Sequence, residues 1–136
     1  MARFYRVMRP ADDALPIAGS GATKLGVRVP KDIAPNADGE VAPSTGGMSV
    51  APTLGTLPLS LVPARLAHLV PGAYGNNKDR VWMMGDGPFV SGPVAPKLDL
   101  NVDRLDHANV EPDATMPLGD YVGALEATRS AWSNAH

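Results

Sequence analysis

Polar side chains that could do chemistry alternate along one short segment near the C-terminus. In the sequence DHANVEP, His107, Asn109 and Glu111 stand at every second position. Because successive side chains of a β-strand point to opposite faces, a strand here would place all three on one face. A carboxylate on such a face can bind a substrate hydroxyl, and the histidine and amide beside it can orient that hydroxyl. The segment therefore predicts a catalytic edge, with Glu111 and His107 as its catalytic residues.

Two earlier segments contribute further polar residues. The alternation of RFYRVM predicts a first strand in which Arg6 shares a face with Phe4 and Met8, where an unpaired guanidinium would be costly. Ser49 lies in STGGMSV, whose last four residues could form a short strand. The prolines that follow prevent a long regular element. We interpret STGGMSV as a strand edge that lines a cleft, and the proline-rich segment after it as the irregular wall of that cleft.

Several other chemistries are disfavoured by spacing or composition. STGGMSVAPTLG lacks the lysine and the helix of a phosphate-binding loop, and Ser49, His107 and Asp106 lack the nucleophile-elbow motif of a hydrolase triad. The acidic residues between positions 99 and 113 lack calcium-loop spacing and are most simply a solvated segment. With no cysteine and three scattered histidines, the sequence predicts no metal site.

Length and composition favour one soluble domain spanning residues 1–136. Apolar residues make up 44% and charged residues 19%, which suits a folded core, while Gly 14 and Pro 14 predict many loops. A formal net charge of -2 argues against strong nucleic-acid binding. No apolar run approaches the roughly 18 residues of a membrane span, and the N-terminal segment lacks a secretory apolar region. We therefore expect a cytoplasmic protein with no membrane association.

The remaining elements complete an α+β fold. KLGVRVP predicts a short strand, and RVWMMG and PFVSGPVA predict two strands joined as a hairpin by Gly-Asp-Gly. A C-terminal helix is predicted from helical spacing, with Thr115 as its cap and Pro117 in its first turn. Its apolar stripe consists of Leu118, Tyr121, Val122, Leu125 and Trp132.

The order of these segments resembles a known family. FYRV, then TGGMSV, then DHANVEP, then a C-terminal helix ending in TRSAW, is similar to the ADP-ribosyltransferase-like toxins exported by type VI secretion systems, and to related toxin–antitoxin and polymorphic toxin domains. The similarity covers most of the chain. It implies small split sheets, mixed or antiparallel, around a cleft for the substrate NAD.

The resemblance also implies roles for individual residues. Arg6 would pair with the NAD diphosphate, Ser49 would take the serine position on the nicotinamide side, and Asn109 would take the first position of the family's acidic pair. Glu111 would bind the ribose 2′-hydroxyl and stabilise an oxocarbenium-like transition state as nicotinamide departs. His107 would lie alongside.

The implied function is a toxin that transfers ADP-ribose to an unknown target in the cytoplasm of the producing or the recipient bacterium. A cognate immunity protein or antitoxin is the implied partner. Two alternatives stay open: a non-enzymatic module that binds a nucleotide or a protein, and a structural interaction protein whose proline-rich wall is the contact surface.

Overall fold

A computed structural model describes all 136 residues, with nine β-strands and one α-helix. The strands are β1 (Phe4–Met8), β2 (Glu40–Val41), β3 (Met48–Val50), β4 (Arg80–Met84), β5 (Gly92–Ala95), β6 (Leu98–Arg104), β7 (His107–Pro112), β8 (Met116–Pro117) and β9 (Ser133–Asn134). The helix α1 is Leu118–Glu126, and short 3-10 helices lie at Leu54–Thr56, Ala64–Leu66 and Arg129–Ala131.

The strands form three small sheets. The first has the order β1-β4-β9, the second β3-β7-β6-β5, and β2 pairs with β8 in the third. Every pair of named strands is antiparallel. The α+β class, the antiparallel sheets, the long loops and the helix near the C-terminus are thus confirmed.

The core is divided in two. A cluster of 20 buried residues packs between the two larger sheets and α1, and it includes Phe4 and Trp132, whose rings meet edge to face at 5.5 Å. A second cluster of 8 residues includes Val7 and Val81 and is completed by the segment that follows β3. The alternation of β1 explains the division, because Phe4 enters the first cluster and Val7 the second.

Tyr121 fastens α1 to the second sheet. Its hydroxyl donates to the carbonyl of Val110 in β7 at 2.6 Å and accepts from the N–H of Met48 in β3 at 3.2 Å. The side chain is fully buried, and burial raises the pKa of Tyr121, so the hydroxyl stays protonated at neutral pH.

The predicted hairpin between RVWMMG and PFVSGPVA does not form. β4 pairs within the first sheet, whereas β5 pairs with β6 in the second. The Gly-Asp-Gly segment between them binds the start of the chain instead: Gly87 donates to the carbonyl of Met1 and accepts from the N–H of Arg3. Because that backbone is already paired to a third segment, it cannot close a turn between the two strands.

The strand predicted for KLGVRVP is also wrong. Residues 24–30 form a loop whose one β-bridge joins Leu25 to Ala18. Leu25 and Val27 are buried, as alternation suggests. Between them Gly26 lies so close to the carbonyl of Gly19 that a Cβ would clash with it, so the two backbones pack directly on each other.

The C-terminal helix is shorter than predicted. It begins after Pro117, which occupies the N-cap position, so Thr115 is not its cap. It ends before Trp132, which is extended. The hydroxyl of Thr128 donates to the carbonyl of Leu125 at 2.7 Å, and the Trp132 indole donates to that hydroxyl at 3.0 Å. This network replaces a further helical turn, while Trp132 remains buried as its place in the stripe suggested. No helix is long and apolar enough to span a membrane.

Candidate functional site

A cavity of about 180 Å³ lies where the first two sheets meet. Two backbone hydrogen bonds fix this junction: Tyr5 donates to Ala51 at 2.7 Å, and Ala51 donates to Tyr5 at 3.0 Å. The apolar wall comes mainly from the segment of residues 50–61. The polar residues that line the cavity are Arg6, Ser49, Thr56, Arg104, Asp106 and His107.

Arg6 enters the cavity wall from β1 and is almost completely buried. Its guanidinium donates to three backbone carbonyls, those of Lys24 (3.2 and 2.9 Å), Gly21 (3.3 Å) and Ser49 (2.7 Å). No carboxylate forms an ion pair with it. Burial lowers the pKa of Arg6 to about 10, which leaves it charged at neutral pH. Arg6 therefore ties the loop after β1 to β3 and places an unpaired positive charge beside the cavity.

His107 begins β7 and reaches the cavity from the opposite side. Its Nδ1 lies 2.6 Å from Oδ1 of Asp103 in β6. The imidazole is about one-fifth exposed and the carboxylate about two-fifths. Nε2 makes no hydrogen bond within the chain. Partial burial acts to raise the pKa of Asp103, but the hydrogen bond and attraction from His107 outweigh it, and the pKa is lowered.

Ser49 and Asn109 are direct neighbours on the polar face of the second sheet. They are cross-strand partners in the β3–β7 ladder, and Asn109 is also opposite Asn101 of β6. Ser49 is exposed and lines the cavity, whereas Asn109 is half-buried and does not line it.

Glu111 has a different environment. It is buried, and its Oε2 accepts from the backbone N–H of Ser44 at 2.9 Å and from the amide of Asn101 at 3.2 Å. Ser44 has a φ of 66°, a left-handed conformation that is unfavourable for serine. The carboxylate thus stabilises the turn that leads into β3. Its other oxygen, Oε1, makes no hydrogen bond within the chain.

The structure places four of the five predicted site residues near one another and sets Glu111 apart. Arg6, Ser49 and His107 line the cavity, and Asn109 lies beside Ser49. His107 and Glu111 share a strand face, but they are four residues apart, which separates their Cα atoms by about 13 Å along β7. Of the two predicted catalytic residues, His107 lines the cavity and Glu111 does not.

Two charged residues at the site were missed from the sequence, Asp103 and Arg104. Arg104 is exposed and lines the cavity, and its side chain makes no hydrogen bond within the chain. A signal for both was available, because LDLNVDR alternates as DHANVEP does, and only Leu105 separates the two segments. Recognising that hairpin would have set Arg104 opposite His107, with Asp103 next to it.

A larger groove of about 780 Å³ lies elsewhere, between α1, the end of β4 and the segment Val94–Lys97. None of the five predicted site residues lines it. Its walls are mainly small and apolar side chains with one distant ion pair, Lys97 to Asp120 at 4.0 Å. No three histidine, cysteine or acidic side chains lie close enough to hold a metal ion. The smaller cavity is therefore the place where polar chemistry is concentrated.

No protein-family model matches the chain, and no curated protein matches it. Functional conclusions therefore rest on the residues themselves.

Proposed function

We propose that this protein is an NAD-dependent ADP-ribosyltransferase toxin that acts in a bacterial cytoplasm. One observation supports this most strongly: Arg6 and Ser49, which the resemblance assigns to NAD, and His107, a predicted catalytic residue, come from three distant segments yet line one cavity. The cavity lies between two small antiparallel sheets, where the resemblance puts the substrate.

The size of the cavity suggests how NAD would lie. Pockets that enclose a drug-sized ligand have volumes of about 300–1,000 Å³, more than this cavity offers. We propose that the nicotinamide and its ribose enter the cavity, while the remainder of the dinucleotide lies along the open surface beside it.

The charges at the cavity suit the anionic diphosphate. Arg104 has all its donors free and is exposed at the rim. Arg6 has one of its five N–H groups unused, because four hydrogen bonds to carbonyls take the others. In this proposal Arg104 forms the direct charge-assisted contacts with phosphate, and Arg6 contributes its field and one donor.

In the proposed reaction, the bond between ribose C1′ and the nicotinamide nitrogen breaks, and nicotinamide leaves with the electron pair. C1′ forms a bond to a nucleophile of the acceptor, whose proton is released. Positive charge develops on the ribose, and a nearby acceptor of its hydroxyl hydrogen bonds stabilises it. Glu111, whose Oε1 is free, would serve where a ribose hydroxyl projects beyond the cavity, whereas His107 lines the cavity itself.

The proposal includes a biological setting. The toxin acts in the cytoplasm of the producing or the recipient cell, and a cognate immunity protein or antitoxin binds it. Expression of the chain in a bacterial cytoplasm should slow growth, measured as optical density at verified soluble expression. Unimpaired growth of cells that contain the folded protein would contradict the toxin proposal.

Calorimetry with NAD tests whether the cavity is the binding site. Ser49→Leu places a larger side chain in the cavity wall and should abolish the heat of binding. Ser130→Leu is a matched control, because Ser130 is also exposed and does not line the cavity. Equal binding by wild type and Ser49→Leu, with both proteins folded, would place NAD elsewhere.

A non-enzymatic nucleotide-binding module is the second candidate. The position of Glu111 favours it, since the carboxylate that the resemblance makes catalytic holds a turn and does not line the cavity. This candidate predicts that NAD binds but that no nicotinamide is released.

A further inference from the structure

We propose that Asp103 is a positioning residue that orients His107 to accept a proton from a hydroxyl group, and that the ADP-ribose acceptor is therefore a hydroxyl. This inference rests on the proposed ADP-ribosyl transfer and extends it to the class of acceptor.

The backbone of β6 is shaped to present two side chains to one histidine. Val102 is opposite Ala108, but the next registered pair is Arg104 with His107, so Asp103 is an extra residue in β6. Such a bulge places two residues of one strand against one residue of its partner, and bulges often reorient a side chain next to an active site. Here Asp103 reaches the Nδ1 side of the ring, while Arg104 lines the cavity.

The hydrogen bond determines which ring nitrogen holds the proton. The pKa of Asp103 is lowered, so its carboxylate is ionised at neutral pH and can only accept. Nδ1 of His107 must therefore be the donor across the 2.6 Å contact. In the neutral ring this leaves the lone pair on Nε2, which has no partner in the chain. Nε2 is thus the proton-accepting atom of a residue that lines the cavity.

Four charged groups lie at the imidazole or at the cavity that His107 lines. Asp103 contacts the ring from β6, while Arg104 of β6, Asp106 of the adjoining turn and Arg6 of β1 line the same cavity. Of the two carboxylates, only Asp103 forms a hydrogen bond with the ring. Replacing Asp103 therefore tests orientation directly.

The chemical class of the acceptor follows from which groups need a base to remove their proton. Carboxylates are already ionised near neutral pH and thiols are partly so, whereas water and alcohols hold their protons firmly. Ammonium and guanidinium groups also hold their protons, but Arg6 and Arg104 at the cavity would repel such a cationic acceptor. In the proposed transfer step, the glycosidic bond between ribose C1′ and the nicotinamide nitrogen breaks, and nicotinamide departs with the electron pair. The hydroxyl oxygen forms the new bond to C1′, and its proton moves to Nε2 of His107. The hydroxyl is either water, which yields free ADP-ribose, or an alcohol, which yields an O-glycosidic ADP-ribosyl linkage.

Kinetics of Asp103→Asn supply the first test. Nicotinamide release from NAD is measured between pH 5 and 9. We expect kcat to fall by about 100-fold with KM for NAD nearly unchanged, because general-base catalysis typically contributes about 10²–10⁴-fold. Asp103→Glu should recover part of the rate. Asp113→Asn is the matched control, since this exposed carboxylate lies just beyond the far end of β7, about 20 Å along the chain from His107. A wild-type rate and pH profile in folded Asp103→Asn would overturn the proposal.

The acceptor class needs a second comparison. Glycerol and free cysteine are added as probe acceptors, and free ADP-ribose reports transfer to water. We expect Asp103→Asn to lower the rate of transfer to water and to glycerol. The rate of transfer to cysteine should fall little at pH 9, where much of its thiol is ionised. An equal loss with cysteine, or transfer to cysteine alone in wild type, would overturn the hydroxyl assignment.

A readout independent of turnover separates this inference from the proposed function. ¹⁵N NMR of the imidazole should show the neutral ring of His107 protonated at Nδ1 in wild type, and altered in Asp103→Asn. A ring protonated at Nε2 would overturn the positioning role. If wild type shows the expected tautomer but releases no nicotinamide, the positioning geometry is supported while the proposed function and its acceptor class both fail.

Discussion

Arg6→Ala should strongly destabilise the fold, because Arg6 joins three segments. The substitution removes four hydrogen bonds to the carbonyls of Gly21, Lys24 and Ser49. Hydrogen bonds with a charged partner contribute about 1.5–3 kcal/mol each, so the simple sum exceeds about 6 kcal/mol. That sum is an upper bound, because removing the guanidinium also removes its burial penalty and water can enter the space. We expect the free energy of unfolding to fall by about 3–5 kcal/mol, out of a total of about 5–15 kcal/mol for a typical domain.

Urea unfolding measures this loss, with the slope of free energy against urea checked for constancy. Arg6→Lys should lose less, since it keeps the charge but cannot contact the separated carbonyls with one planar fork. Arg3→Ala is the control: Arg3 precedes β1, is exposed and makes no side-chain hydrogen bond, so its change should stay within about 0.5 kcal/mol. A loss below about 1 kcal/mol for Arg6→Ala would refute the reasoning, because the three carbonyls would then not depend on the guanidinium.

Three further substitutions test the packing and electrostatics of the fold. Tyr121→Phe removes a buried hydroxyl that bonds to β3 and β7, and should cost about 1–3 kcal/mol by urea unfolding; no loss would mean that water replaces it. Trp132→Ala should cost about 3–5 kcal/mol and lower the Tm in a thermal melt by roughly 10 °C or more, whereas an unchanged Tm would show that the indole is not a core element. Burial acts to raise the pKa of Asp32, but its hydrogen bonds to Arg28 outweigh burial and lower the pKa from 3.8. The folded state therefore binds fewer protons than the unfolded state. The contribution of Asp32 to stability is full above pH 3.8 and is lost as the pH falls through the lowered pKa. Asp32→Asn should therefore remove part of the acid dependence of stability, and identical acid titrations would contradict the assignment.

The sequence predicted the elements whose signals are local. The alternation of RFYRVM and DHANVEP was sufficient for β1 and β7, because one face of β7 enters a core and the two faces of β1 enter different clusters. The pairing of strands was not predictable in the same way. Gly85–Gly87 has the composition of a hairpin turn, yet its backbone is taken by the N-terminal residues, a long-range contact that composition does not report. The last helical turn was lost to a local contact, because the Trp132 indole donates to the hydroxyl of Thr128 four residues earlier.

The candidate site was predictable as a set of residue types more than as a geometry. Arg6 was expected to be buried among apolar neighbours, and it is. That its donors hold backbone carbonyls depends on a loop, Gly21–Lys24, which has no periodic signal. The shared face of His107 and Glu111 followed from alternation, but the cavity at only one end of β7 depends on where β1 crosses β3.

The most direct test of the proposed function is a ¹H NMR time course of NAD with the purified, folded protein. Our account predicts that free nicotinamide signals appear with wild type. It also predicts that His107→Gln lowers their rate of appearance by about 100-fold or more, as expected for loss of a group that acts in the transition state. Glu111→Gln in the same assay shows whether the carboxylate contributes separately; a comparable loss would give it the role of stabilising the ribose charge. Intact NAD after prolonged incubation with folded wild-type protein, or equal rates for wild type and both variants, would contradict the proposal that this cavity cleaves NAD.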